Sequence, residues 1–264
     1  SQRANVDGTR NAVEFANTRG VGRFHHVSSI AVAGDYRGVF QEDMLDEGQR
    51  LPHHYHRTKH DSEQLVRRSS EAPTLVYRPG IVVGHSETGE IDKIDGPYYL
   101  FTLLKKLRGA LPAWMPLAGP EGGKTTIVPV DFVARIITEV VLDSNRHGRI
   151  YHLTNPQPPT NELMKRCYED YFGLHGGYFA DPATVLGHCT SAESLLWDEY
   201  HLLTPRVVHA PHFDTANTRC VMDEVGLTFP ILDRERICML IDWAARQQWG
   251  RRSPARRRER ETAS

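Results

Sequence analysis

Tyr55 and Lys59 stand in the order YHRTK, an i, i+4 spacing that puts both side chains on one helix face, where a phenol and an ammonium can converge. An unperturbed phenol titrates near pH 10, too high for efficient proton transfer at neutral pH. A cation about 4 Å away, at an effective dielectric near 20, contributes at most about 4 kcal/mol, roughly three pKa units in the useful direction. Tyr55 is therefore a candidate proton carrier, although YxxxK pairs also arise by chance on exposed helices. Upstream, Ser28 and Ser29 close an expected strand, and ligands bind at the carboxyl ends of strands in a parallel sheet. A serine there could hold a carbonyl oxygen while the tyrosine protonates it; the plainer reading is two serines leaving a strand. Asn5 opens a helix within NVDGT, either as an ordinary helix start or with Gly8 letting the helix pack close to the sheet.

The elements that must position these residues follow from periodicity. Val6, Val13 and Ala16 share a face of an expected helix over 5–18, stopped by Gly20. Arg23–Ser29 is expected as a strand, followed by a long polar loop with Gly34, Gly38, Gly48 and Pro52. His54–Ser69 lacks glycine and proline and is expected as a helix. Thr74–Gly84 (TLVYRPGIVVG) is apolar on both faces, as in a buried parallel strand, with an interruption at Pro79 and Gly80. Further on, the pattern predicts an amphipathic helix over Tyr98–Leu107, a strand at TTIVPV, a helix over Asp131–Leu142 capped at its start by the aspartate, and a strand over Arg149–Thr154. Helices over Asn161–Phe172 and near Arg234–Gln248 flank a stretch that gives little periodic signal. Strand and helix alternate across the first 155 residues, the pattern of an α/β fold with an open, mostly parallel sheet.

Composition narrows the classes. The chain has 264 residues, 39% hydrophobic and 25% charged, as in a globular protein rather than a disordered one. Its 32 Lys+Arg nearly cancel its 33 Asp+Glu, which argues against nucleic-acid binding through a broad phosphate-neutralising surface. Six arginines and two glutamates in residues 251–264 form a basic tail expected to be solvated and disordered. Cys167, Cys189, Cys220 and Cys238 lie far apart with no CxxC pair, so a reducing, cytoplasmic setting is the default expectation. No apolar run reaches the roughly 18 residues of a membrane span.

Six segments, NVDGTRNAVEFA, FHHVSSIAVAG, YHRTK, YRPGIVVG, DGPYYLFTLLKKL and IVPVDFVARII, together resemble the extended short-chain dehydrogenase/reductase family. The resemblance is closer to its thioester-reductase and fatty-acyl-reductase-like branch. It implies a Rossmann-like sheet and a smaller C-terminal substrate-binding region. Under it, Tyr55 is the proton donor, Lys59 lowers the tyrosine's pKa and binds the nicotinamide ribose, and Ser29 orients the carbonyl, with Ser28 as the alternative. Asn5 corresponds to the asparagine that helps place the cofactor and a relay water. Pro79, Gly80, Ile81 and Val82 correspond to the backbone beside the nicotinamide of NADP or NAD. The family's opening strand, GxxGxxG turn and helix have no counterpart here, so the sheet is expected to be N-terminally truncated. If the chain is the whole polypeptide, NAD(P)H is expected to bind poorly, and the exposed edge of the Arg23–Ser29 strand invites aggregation, pairing or homo-oligomer formation.

The expected domains are therefore residues 1–155, the later part of a nucleotide-binding domain with a substrate-side insertion at 84–124, then a substrate-binding region at 156–250 and the tail at 251–264. The expected function is NAD(P)-dependent reduction of a carbonyl or fatty acyl thioester, a small-molecule substrate. The alternatives are a sugar-nucleotide epimerase or dehydratase, disfavoured by the apolar DGPYYLFTLL, and a catalytically silent binding module. Two other signals are set aside. GPEGGKTT lacks the earlier glycine of a phosphate loop, since Ala118 occupies that place, and it leads into a strand. His53, His54, His56 and His60 crowd around Tyr55, yet zinc needs a third ligand and a supporting shell, so no metal is expected. One of these histidines could sense pH beside the site.

Overall fold

Thr74–Pro79 is apolar enough to be covered on both faces, and in the computed structural model it forms the middle strand of a three-stranded sheet. The structure describes residues 2–94, 98, 102, 105, 116–118, 123–146, 148–180 and 211–248. A π-helical turn (Arg3–Asp7) runs into α1 (Gly8–Arg19), then β1 (Phe24–Val27), a 3-10 turn (Ile30–Ala33), β2 (Val39–Phe40) and α2 (His54–Ser69). Next come β3 (Thr74–Pro79), β4 (Ile81–Val83), β5 (Pro116–Ala118), β6 (Ile127–Pro129), α3 (Val130–Leu142) and β7 (Ile150–Leu153). The last elements are α4 (Asn161–Phe172), β8 (Tyr178–Ala180), β9 (His212–Phe213), α5 (Ala216–Val225) and α6 (Arg234–Arg246).

The chain forms two compact units. The first comprises Ser1–Val82, Gly123–Pro159 and Pro205–Ile231. Its sheet runs β1-β3-β7, all parallel, with Val27 opposite Tyr77 and Tyr77 opposite Tyr151. Among the described residues β1 pairs only with β3, and Val27 on this edge is 51% exposed. The core packs Leu75, Tyr77, Tyr151 and Leu153 of the sheet against Val128 and the Phe132, Val133, Ile136 and Val140 stripe of α3. Those α3 positions share one helix face, and each buried large side chain contributes on the order of 1.5–3 kcal/mol.

A second cluster of Val32, Ala33, Phe40 and Leu45, with Tyr36, Met44 and Phe213 against it, organises the stretch after β1 that its polar composition marks as plain loop. Gly34 makes this possible: its φ is +52°, and a Cβ there would lie 2.2 Å from the Arg50 carbonyl. Only glycine accepts both conditions.

The second unit comprises Val83–Gly122, Thr160–Thr204 and Leu232–Ser264. Within it α4 packs against α6. The Thr160 side chain caps α4 by accepting the Leu163 N–H at 3.2 Å, and Asp233 caps α6 by accepting the Arg236 N–H at 3.0 Å. Tyr171 Oη donates to Asp242 at 2.8 Å, and β5 pairs with β8 in parallel.

Two expectations need correction. Asp131 does not cap its helix: the cap position is Pro129, with no side-chain bond, and the aspartate sits inside the first turn, where its charge complements the helix dipole. Gly8 does not serve a close approach, since a Cβ there would meet only Arg3 O at an ordinary 3.6 Å. Periodicity gives no sign of α5, because its described buried face is only Thr218 and Val221. Of the expected helix Tyr98–Leu107, Tyr98, Thr102 and Lys105 are described and helical, and the rest lies outside the described residues. So do Cys189 and the basic tail.

Candidate active site

The run HYHRTKHDSEQLVRRS forms α2 without interruption, and Tyr55, Lys59, Glu63 and Arg67 fall along one stripe at i, i+4 intervals. Tyr55, at the open end, is 48% exposed. One turn on, Lys59 Nζ donates to the carbonyl of Val27, the last residue of β1, at 3.3 Å. Burial lowers the Lys59 pKa and the Glu63 carboxylate pulls it back up. Asn5 Nδ2 donates to Thr58 Oγ1 at 3.0 Å, and the buried Thr58 hydroxyl donates to the Tyr55 carbonyl at 3.1 Å. Asn5 is thus fastened to the turn of α2 that carries the tyrosine and the lysine.

Ser28 and Ser29 follow β1 directly, and their hydroxyls have different roles. Ser28 Oγ donates to Glu63 Oε2 at 2.6 Å in a buried bond. Ser29, in extended conformation, heads the 3-10 turn and accepts the Ala31 N–H at 3.2 Å. An accepting hydroxyl keeps its own proton to donate. At the adjacent strand end, Gly80 N–H donates to Leu153 O at 3.0 Å and Ile81 N–H to Thr126 O at 2.8 Å. A Cβ at Gly80 would lie 2.5 Å from Thr126 O, so this backbone approach requires glycine. Pro79 ends β3, and Gly80, Ile81 and Val82 continue from it, next to the strand β1 that Ser28 and Ser29 follow.

Beneath these residues lies a buried ionic hub that motif reading missed. Glu63 Oε1 accepts from Arg78 Nη2 at 2.7 Å and Arg67 Nη2 at 2.6 Å, while Oε2 accepts from Arg78 Nε at 3.0 Å as well as from Ser28. The two guanidiniums outweigh burial and hold the Glu63 carboxyl down at about 2. Arg78 also donates to the Glu42 and Met44 carbonyls and meets His152 Nε2 at 2.9 Å. His152 sits at about 3, kept neutral by burial and by Arg78. Glu42 accepts the N–H groups of His152 at 2.9 Å and Asn217 at 2.7 Å, yet burial pushes it up to about 7. The sequence signal was Arg78 itself, a charge inside an apolar strand, which cannot be buried unpaired.

Burial, aided by His53, lowers His56 to about 4, so this histidine is neutral throughout the physiological range. Among the described residues no three metal-ligating side chains converge. After Gly123 the GKT run enters β6, and no helix opens at that point.

The sequence model of the NAD-binding family described as Male sterility protein matches residues 1–137, just over half of the 264-residue chain. The chain belongs to this family. Among relatives of the male sterility family member, aldehyde reductase lnaA of Aspergillus flavus is 27% identical over an alignment covering 88% of this chain and 24% of that protein. Aldehyde reductase lnbA of the same organism is 30% identical over 58% of this chain and 16% of its own. The chain thus spans between a sixth and a quarter of these relatives' length. Its fold matches the terminal R domain of the myxalamid PKS-NRPS pathway with a TM-score of 0.74 at 24% identity, covering 93% of this chain and 63% of that one. It also matches the Bordetella bronchiseptica enzyme WbmG in complex with NAD and UDP, with a TM-score of 0.62 at 15% identity over 93% and 66% of the chains. The chain shares a Rossmann-like α/β fold with these neighbours. Among the described residues no helix is long and apolar enough to cross a membrane.

A dinucleotide is implied by the family, and the donor set here fits its nicotinamide-ribose end. Lys59 has N–H groups beyond the one given to Val27, Ser29 keeps its proton, Tyr55 is half exposed, and Gly80 strips the adjacent backbone of a side chain.

Proposed function

We propose that this chain carries the proton-transfer centre of an NAD(P)-dependent oxidoreductase that reduces a carbonyl or fatty acyl thioester. One observation carries the reading: Lys59 reaches the last carbonyl of β1, next to the two serines, from one turn along the helix that bears Tyr55. A bound nicotinamide supplies the hydride to the substrate carbon. Tyr55 gives its phenolic proton to the substrate oxygen as that oxygen gains charge. Ser29 donates a hydrogen bond to the same oxygen, where charge develops. Lys59 favours the phenolate left behind and offers N–H donors to the ribose hydroxyls. Asn5, through Thr58, holds the helix turn in register and takes the relay position; Pro79, Gly80, Ile81 and Val82 line the ring.

On this reading the exposed β1 edge is where a further strand or a second copy pairs. A sugar-nucleotide epimerase or dehydratase would use the same tyrosine and lysine. Assaying NADPH- and NADH-dependent reduction of long-chain acyl-CoA beside turnover of UDP-sugars separates the two: consumption of reduced cofactor with the thioester supports the proposal, and conversion of the UDP-sugar alone overturns it.

A further inference from the structure

We propose that Glu63 is a positioning residue of this centre: its carboxylate selects which of two adjacent serines faces the substrate and sets a counter-charge beside Lys59. The inference rests on the proton-transfer reading above and adds to it a residue with no direct contact to substrate or cofactor.

The geometry has two halves. Glu63 is fully buried and accepts from Ser28, Arg67 and Arg78. Ser28 is thereby turned inward with its proton committed, and the chain, extended at Ser29, carries the next hydroxyl the other way, since successive side chains of extended backbone point to opposite faces.

The second half is charge. Lys59 and Glu63 are one turn apart on α2, so the carboxylate is the anion nearest the ammonium along the stripe. From β1, His26 also faces the lysine, and burial keeps that imidazole neutral above about pH 4. From β3, Arg78 donates to the Glu63 carboxylate. The 3-10 turn Ile30–Ala33 carries no ionisable side chain. On the π-helical turn and α1, Arg3, Arg10 and Glu14 face solvent and Asp7 pairs with Arg10. Remove the Glu63 charge, and Lys59 loses the carboxylate that opposes the effect of its burial. A carboxylate that served packing alone would leave the lysine's titration where it was.

The test reads Lys59 directly and needs no turnover. In protein labelled with 13Cε-lysine, the Lys59 titration is followed by NMR in the wild type, Glu63→Gln, Ser28→Ala and Arg67→Met. The expected result is a fall of about one pH unit or more in Glu63→Gln, no change in Ser28→Ala, and a smaller rise in Arg67→Met, where the carboxylate loses a competing cation. Arg67 is partly exposed at 27% of its side chain, so that variant keeps the proposal testable if Glu63→Gln does not fold. An unmoved Lys59 in folded Glu63→Gln, or in Arg67→Met when the former fails to fold, overturns the proposal. Lack of reductase turnover in the wild type would instead overturn the proton-transfer reading, leaving the Lys59 shift still measured.

Discussion

Ser28 donates its hydroxyl proton to Glu63 Oε2 across 2.6 Å, and that bond makes two neighbouring serines inequivalent. One hydroxyl is committed to a buried carboxylate. The other accepts a backbone N–H and has a proton to give.

Ser29→Ala is therefore expected to lower kcat by about 10²–10³, the loss typical of one donor to a developing oxyanion, at a stability cost of about 0.5–2 kcal/mol for the lost cap on the Ala31 N–H. Ser28→Ala is expected to cost about 1–3 kcal/mol of stability as Glu63 loses a partner, with kcat within about fivefold of wild type. Steady-state kinetics and thermal unfolding of both variants check this; the opposite ranking would make Ser28 the acting serine.

Glu63 also sets an acid limit. Its folded pKa of about 2 lies below the ordinary 4.5, so its stabilisation is complete above about pH 4.5 and is lost as pH falls through about 2. At pH 7 Glu63→Gln should cost about 3–5 kcal/mol, because the buried Arg78 guanidinium and the partly exposed Arg67 lose their anion. Denaturant unfolding across pH should show the gap between the two proteins closing in acid. A gap that stays constant down to pH 2 would contradict the assignment.

Glu42 works in the other direction. Raised to about 7 from 4.5, it contributes stability that is full below about pH 4.5 and lost as pH rises through about 7. Unfolding free energies of Glu42→Gln should therefore lack the decline that the wild type shows between those values. If both proteins have the same slope there, Glu42 is ionised throughout.

Gly80→Ala should cost about 1–3 kcal/mol, since the new methyl would press on Thr126 O at 2.5 Å and neither backbone can retreat without breaking a strand bond. Calorimetry checks the stability loss, and fluorescence titration with NADPH checks the expected weakening of cofactor binding. An alanine variant as stable as wild type would show that the approach is slack.

Much of this arrangement is legible in the residues. The helix His54–Ser69 follows from an unbroken run without glycine or proline, and Asn161–Phe172 from the same logic. The break between Thr74–Pro79 and Ile81–Val83 follows from the Pro-Gly pair. The buried hub is not legible in that way. An arginine in an apolar strand announces that it needs a partner, but Glu63 and His152 are distant in sequence, and choosing them takes the fold. Nor is the split between Ser28 and Ser29 legible, because it is set by where each hydroxyl finds a partner. The helix Ala216–Val225 escapes notice because Thr218 and Val221 make too thin an apolar stripe. Gly34 escapes because its requirement, the Arg50 carbonyl, comes from another part of the loop.

The central claim, that Tyr55 hands its proton to a substrate oxygen, is tested most directly by comparing wild type and Tyr55→Phe. The assay is NADPH-dependent reduction of a long-chain acyl thioester, with cofactor binding followed in parallel by fluorescence. The account predicts that removing one half-exposed hydroxyl lowers kcat by about 10²–10⁴ and leaves NADPH binding nearly unchanged. A phenylalanine variant that reduces the thioester as fast as the wild type would contradict it.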